Sequence, residues 1–90
     1  MGDVTYQRAT ELLEADLGVE LVALDQAQGQ CFGFNGVATS VWRLLASPRS
    51  AGEIEKSLMA EYDVEQARCR AELGDLLDDL VAKGLVRKGG

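Results

Sequence analysis

Histidine is absent from the 90-residue chain, proline occurs once and cysteine twice, and each scarcity removes a class of function. Without histidine, the commonest general base and the commonest metal ligand are both missing. Cys31 and Cys69 lie far apart in differently patterned segments, so they form neither a disulfide framework nor a zinc site. Reduced, partly buried thiols are expected, which suits a reducing compartment. Positive charge is also scarce: nine Lys and Arg stand against fifteen Asp and Glu, a net charge of −6. Such a surface repels phosphate backbones and favours a partner with a basic or apolar face, so nucleic acid is not expected. No apolar run approaches the ~20 residues that span a bilayer, and no basic-then-apolar signal segment opens the chain. No membrane partner is expected, and cytoplasmic location follows as the default.

What remains is the composition of a folded domain. The hydrophobic share is 47%, and a chain of this length buries one modest core and no deep catalytic cavity. A single domain over residues 1–90 is expected, with its core at about 11–87.

Met1 to Thr10 has no clear period and reads as an irregular lead-in. Glu11 to Leu17 reads as a first strand, although Leu12 and Leu13 suit a helix equally. Gly18 breaks the run. Val19 to Asp25 alternates, with Leu21, Ala23 and Asp25 on one face and Val22 and Leu24 on the other. Gly29 can take the positive φ that closes a hairpin. Gln30 to Phe34 is the returning strand, Phe32 and Phe34 facing one way, Cys31 and Gly33 the other.

The period then lengthens. Asn35 can cap a helix carrying Val37, Ala38, Val41, Trp42, Leu44 and Leu45 inward, ending at Ser47-Pro48. Ser50 and Glu53 have capping-box spacing ahead of a second helix that buries Ile54, Leu58, Met59 and Tyr62. Asp63 can cap a third and longest helix to Lys83, with Val64, Ala67, Ala71, Leu73, Leu77, Leu80 and Val81 inward. Gly84 can end it as a left-handed C′ residue, letting Leu85 fold back onto Leu80, and Leu85-Val86-Arg87 form a short extended tail. The fold class is α+β and winged-helix-like: a three-stranded antiparallel sheet followed by three helices.

Catalysis lacks its parts. The hydroxyls of Thr39 and Ser40 have no basic partner in the pattern, and Gly29, Gly33 and Gly36 do not build a phosphate-cradling loop. Glu72, Asp75, Asp78 and Asp79 fall on the outside of the third helix, where a solvated face explains them. No enzyme activity, cofactor or metal is expected.

The segment VALDQAQGQCFGFNGVATSVW, Val22 to Trp42, joins an alternating strand, an Asp before a glycine-containing turn, a second strand ending in Phe-Asn, and a helix reaching Trp. With LLASPRSAGEIEKSLMAEYDV and the closing LLDDLVAKGLVRK, it resembles the PqqD-like family, the recognition elements for ribosomally made, post-translationally modified peptides. The likeness covers about Leu12 to Val86 and rests on the order of the motifs rather than on any single one. The resemblance implies binding of the leader segment of a precursor peptide, which adds as a strand along the third strand and lies against the third helix. It also implies presentation to maturation enzymes such as a leader peptidase. Strand addition is sound on its own physics, since an open edge offers unpaired N–H and C=O groups.

Carried onto this chain, the pairing edge is Gln30, Cys31, Phe32, Gly33 and Phe34, and the flanking helix face holds Arg68, Ala71, Glu72, Asp75, Leu76 and Asp79. Gly33 either admits a bulky leader residue or makes room for a close backbone contact inside the fold. Phe32 and Phe34 suit the core better than a ligand contact, as does Trp42. Arg68 either pairs with a leader carboxylate or does nothing. Cys31 departs from the larger aromatic residue often found at its position in the family, which alters the shape of any pocket there. The chain differs from the quinone-cofactor branch in its general look and is more similar to the stand-alone domains of lasso-peptide maturation, where a separate leader peptidase and an ATP-dependent cyclase do the chemistry.

Three other readings compete. A DNA-binding winged helix needs a basic recognition helix, whereas the second helix carries only Lys56 and the third is net acidic. The terminal Lys88-Gly89-Gly90 resembles the tail of ubiquitin-like sulfur carriers, but those wrap a sheet around one central helix, and a frayed tail explains it. The alternative within binding modules is an adaptor that docks onto a partner enzyme through the acidic third helix without binding peptide.

Overall fold

A switch from period-two to helical patterning at Asn35 divides the chain, and the computed structural model, which describes residues 4–18 and 20–89, follows that division. The strands are β1 (Thr5–Arg8), β2 (Leu13–Asp16), β3 (Leu21–Asp25) and β4 (Gln30–Phe34). Helix α1 (Gly36–Leu44) comes next, then β5 (Arg49–Ser50), α2 (Ala51–Glu61), α3 (Gln66–Ala82) and β6 (Val86–Gly89). The protein is α+β, with an antiparallel β2-β3-β4 sheet ahead of three helices, the third being the longest.

Capping residues set the helix limits. The Asn35 carboxamide oxygen accepts the Ala38 N–H at 2.9 Å and starts α1. Ser50 and Glu53 form the reciprocal capping box of α2, at 3.1 and 2.9 Å. At the end of α3, Gly84 has φ +76° and the Leu85 N–H reaches the Leu80 carbonyl at 3.0 Å, the left-handed close expected there.

Several expectations need correction. Within the lead-in, Thr5–Arg8 is not irregular: β1 is the central strand of a second sheet, ordered β5-β1-β6, while Ala9 and Thr10 are irregular as expected and Met1 to Asp3 lie outside the described residues. Its partners, Arg49–Ser50 and Val86–Gly89, are remote in sequence, and among its four residues only Tyr6 is buried, so no local period announces it. Of the supposed frayed tail, Lys88 and Gly89 belong to the same sheet, opposite Tyr6 and Thr5, and Gly90 lies outside the described residues. Asp63 does not cap α3. Its N-cap is Glu65, without a side-chain hydrogen bond, because the link runs extended while Tyr62 and Val64 pack against the core. Finally, Val37, Met59, Ala67, Ala71 and Val81 are exposed, and so is Cys31. The first strand is shorter than the expected Glu11 to Leu17, and Val19, expected in the second, lies outside the described residues.

One cluster forms the core: Tyr6 from β1, Leu21, Ala23 and Phe34 from the hairpin, Val41 and Trp42 from α1, Ile54 and Leu58 from α2, Leu73, Leu77 and Leu80 from α3, and Val86 from β6. Trp42 is fully buried at its centre, its ring 5.6 Å from that of Phe34. The indole N–H donates to Glu14 Oε2 at 3.1 Å, so burying it leaves no polar atom unpaired. Among the described residues, no helix is long and apolar enough to cross a membrane.

Candidate peptide-binding site

The β3–β4 hairpin owes its turn to Asp25. This nearly buried carboxylate accepts the N–H groups of Ala27 and Gln28 at 3.0 and 3.3 Å, and Gly29 at φ +66° completes the reversal. The register then follows without slack: Leu21 faces Phe34, Ala23 faces Phe32, and Asp25 faces Gln30 on the inner side. Val22–Gly33 and Leu24–Cys31 are the outer pairs. Phe34 is buried and Phe32 half-buried, which anchors β4 by one face only. β4 ends the order β2-β3-β4, so among the described residues its far edge carries no partner strand.

Two depressions lie along this edge and α3. The first, of 540 Å³, is lined by Gln28, Gln30, Cys31 and Phe32 from the hairpin and by Ala82 and Lys83 at the end of α3. The second, of 260 Å³, has Val37, Leu58, Val64 and Leu73 as apolar lining, with Tyr62, Asp63, Arg68 and Glu72 beside them. Val37 sits in the first turn of α1, directly after β4. One depression therefore opens beside the start of β4 and the other beyond its end.

The structure distributes the expected site residues unevenly. Gln30, Cys31 and Phe32 meet in the first depression, and Arg68 and Glu72 in the second. Asp79 reaches the first only through Lys83, its ion-pair partner at 2.8 Å. Leu76 is half-buried against the core and Asp75 is exposed on the same flank of α3 as Glu72 and Asp79. Gly33 is exposed, while Phe34 is turned to the core and offers the edge only its backbone. Ala71 lies exposed on the side of α3 opposite Leu73, Leu77 and Leu80 and lines neither depression. Val37, Tyr62, Lys83 and Gln28 were not among the expected site residues. A signal existed for Val37: Ala38, Val41, Trp42 and Leu45 already fill the inward i, i+3, i+4, i+7 positions, which leaves Val37 at the margin.

Electrostatics sort these side chains further. Arg68 pairs with Glu72 at 3.0 Å, both largely in water, so either remains available to a charged ligand at little cost. Asp75 and Asp78 have no ion pair among the described residues. On the opposite flank, buried Glu55 accepts two hydrogen bonds of 3.3 Å from Arg70, which clamp α2 to α3. Those bonds hold the Glu55 carboxyl below its ordinary range against the opposing effect of burial. Cys69, at the floor of the second depression, has its thiol pushed up by burial and by the charges of Glu55 and Glu72. It stays protonated at neutral pH and is a poor nucleophile. Ser40, expected to lack a basic partner, donates to Glu61 Oε1 at 3.1 Å and lies 3.0 Å from the Tyr62 hydroxyl, tying α1 to the end of α2. Among the described residues no cluster of His, Cys, Asp or Glu could hold a metal ion.

Comparison with known proteins bears on this site. The model of the family described as coenzyme PQQ synthesis protein D (PqqD) matches residues 20–86. No curated protein sequence matches the chain. Among solved structures, TbiB1 in complex with the TbiA(beta) leader peptide is similar at a TM-score of 0.80 and 28% identity. The similarity covers 90% of this chain and 94% of that one.

Proposed function

The chain belongs to the PqqD family, and on that premise we propose that it is a non-catalytic recognition element for the leader segment of a ribosomally made precursor peptide. The leader adds as a strand to the open edge of β4, from Gln30 to Phe34, and lies against the flank of α3 that carries Arg68, Glu72, Asp75, Leu76 and Asp79. The observation that carries this reading is the half-anchored, unpartnered β4 edge beside α3 in a chain whose structural relative is complexed with a leader peptide. An extended peptide there gains main-chain hydrogen bonds for affinity, while the two depressions supply specificity. The helix–strand–helix–helix–strand order of α1-β5-α2-α3-β6 supports a winged-helix-like description. The bound leader is presented to maturation enzymes, a leader peptidase and a cyclase on the lasso-type reading, in the cytoplasm.

A second reading draws on α3. With Arg68 and Lys83 occupied by Glu72 and Asp79, Asp75 and Asp78 keep an uncompensated acidic surface suited to docking a basic partner enzyme. A fluorescence-anisotropy titration with the labelled leader of the precursor encoded beside this chain separates the two. A scrambled leader and a DNA duplex serve as controls. Saturable binding of the authentic leader alone is expected; a folded sample that binds no leader transfers the assignment to the adaptor role.

A further inference from the structure

Gly33 sits mid-strand in β4, where glycine is among the poorest residues for a sheet. Gly29 and Gly84 repay their presence with positive φ; Gly33 does not, since its φ lies outside the left-handed region. Nor does a close approach inside the fold require it: a Cβ built at Gly33 meets nothing within 4 Å. The fold accepts a side chain there, so nothing inside it accounts for the glycine.

The register shows what lies beside it. Across the outer face of the sheet run two rows, Ala15–Val22–Gly33 and Leu13–Leu24–Cys31, with no charged residue in either. Val22 is half-buried, whereas Leu13 and Leu24 are 56% and 38% exposed. A strand added to β4 lies about 4.8 Å beyond it and continues both rows. Its residue beside Gly33 has open space over the glycine, with the Val22 side chain as the next wall and Leu24 and Cys31 on the diagonals. We propose that Gly33 is a specificity determinant: a gap in the outer face that admits one large apolar side chain of the bound peptide strand and seats it against Val22, Leu24 and Cys31. The inference rests on the strand-addition reading above. It assigns a selective role to the outer face, away from α3.

The test compares wild type with Gly33→Ala and Gly33→Val, using the synthetic leader of the neighbouring precursor and leaders in which each large apolar residue is cut to Ala. Thermal melting of Gly33→Val should occur at or above the wild-type temperature, since a β-branched residue suits an unobstructed strand position. Its affinity for the leader should fall by about ten-fold or more, with Gly33→Ala in between. One truncated leader should bind Gly33→Val as well as it binds wild type. Equal leader binding by a well-folded Gly33→Val overturns the gap while leaving strand addition intact. A wild-type protein that binds no leader removes both. If Gly33→Val self-associates in sedimentation velocity yet binds leader normally, the glycine instead keeps the open edge from pairing with a second copy, and the proposal fails.

Discussion

The guanidinium of Arg8 lies 4.3 Å from the ring centroid of Trp42 and also donates to the Trp42 carbonyl, at 2.6 Å from one nitrogen and 3.2 Å from another. The same arginine reaches Glu14 at 3.5 Å, the carboxylate that accepts the Trp42 indole N–H. β1, β2 and α1 are thus joined at one residue from each.

Because Trp42 is fully buried, Trp42→Ala should cost about 3–5 kcal/mol in chemical denaturation. Arg8→Ala should cost less, about 1–2 kcal/mol, for a stacked, partly exposed cation and its hydrogen bonds. Neither should change the leader affinity of the folded fraction. A loss of affinity without loss of stability would make Trp42 a contact residue.

Glu55 makes stability depend on acid. Its carboxyl is held below the ordinary value of 4.5 by the Arg70 hydrogen bonds in the folded state only. A group with a depressed folded pKa contributes stability that is present above its unfolded pKa and lost as pH falls through the folded one. The midpoint of urea unfolding should therefore drop below about pH 4.5, and Glu55→Gln should flatten that drop. At neutral pH, Arg70→Ala should destabilise by about 1–3 kcal/mol, less than for a fully buried pair because half of Arg70 is in water.

The thiols report on the proposed edge. Cys31 is exposed, whereas Cys69 is buried with its thiol pushed up, so at pH 7.5 a maleimide should modify Cys31 first and Cys69 only on unfolding. Saturating leader should slow modification of Cys31 if a strand covers β4. An unchanged rate in the presence of bound leader would place the peptide elsewhere.

Proline at the edge offers a sharper cut. Cys31→Pro removes a backbone N–H from β4 and distorts the strand, and it should abolish leader binding. Circular dichroism establishes whether the variant is folded, and normal affinity in a folded Cys31→Pro protein would exclude strand addition.

Charge reversal tests the flank of α3. Asp75→Lys with Asp79→Lys should shift leader or enzyme affinity by more than the ~0.5 kcal/mol typical of surface changes. Stability should hold within that same margin, since the Asp79–Lys83 pair is half exposed. No effect on either partner would return both residues to a solvated face.

The parts of this fold that were legible in the sequence are those fixed by neighbours. Asp25 and Gly29 specify the hairpin, Asn35 and the Ser50–Glu53 box specify helix starts, and Gly84 specifies a helix end, each within a few residues. β1 escaped because its register is set by Ser50 and Gly89, neither of them near it in sequence. The start of α3 escaped because Asp63 has the local look of a cap, whereas the packing of Tyr62 and Val64 keeps the link extended as far as Glu65, which makes no side-chain cap. The edge strand of the candidate site could be read from alternation in Gln30–Phe34. Its margins could not, since Val37 and Lys83 meet their neighbours only after α1 and α3 have docked.

The pairing of Thr5 with Gly89 brings together residues 84 positions apart and closes a long loop of chain between them. Closing so long a loop carries an entropic cost that grows only slowly with length, but it must be met before β1 and β6 can reward it. During synthesis the helices and the β3–β4 hairpin can form as they emerge, while Tyr6 waits for Val86 to Gly89 to leave the ribosome. A protein ending at Leu85 would leave one side of β1 unzipped and the Tyr6 end of the core open to water.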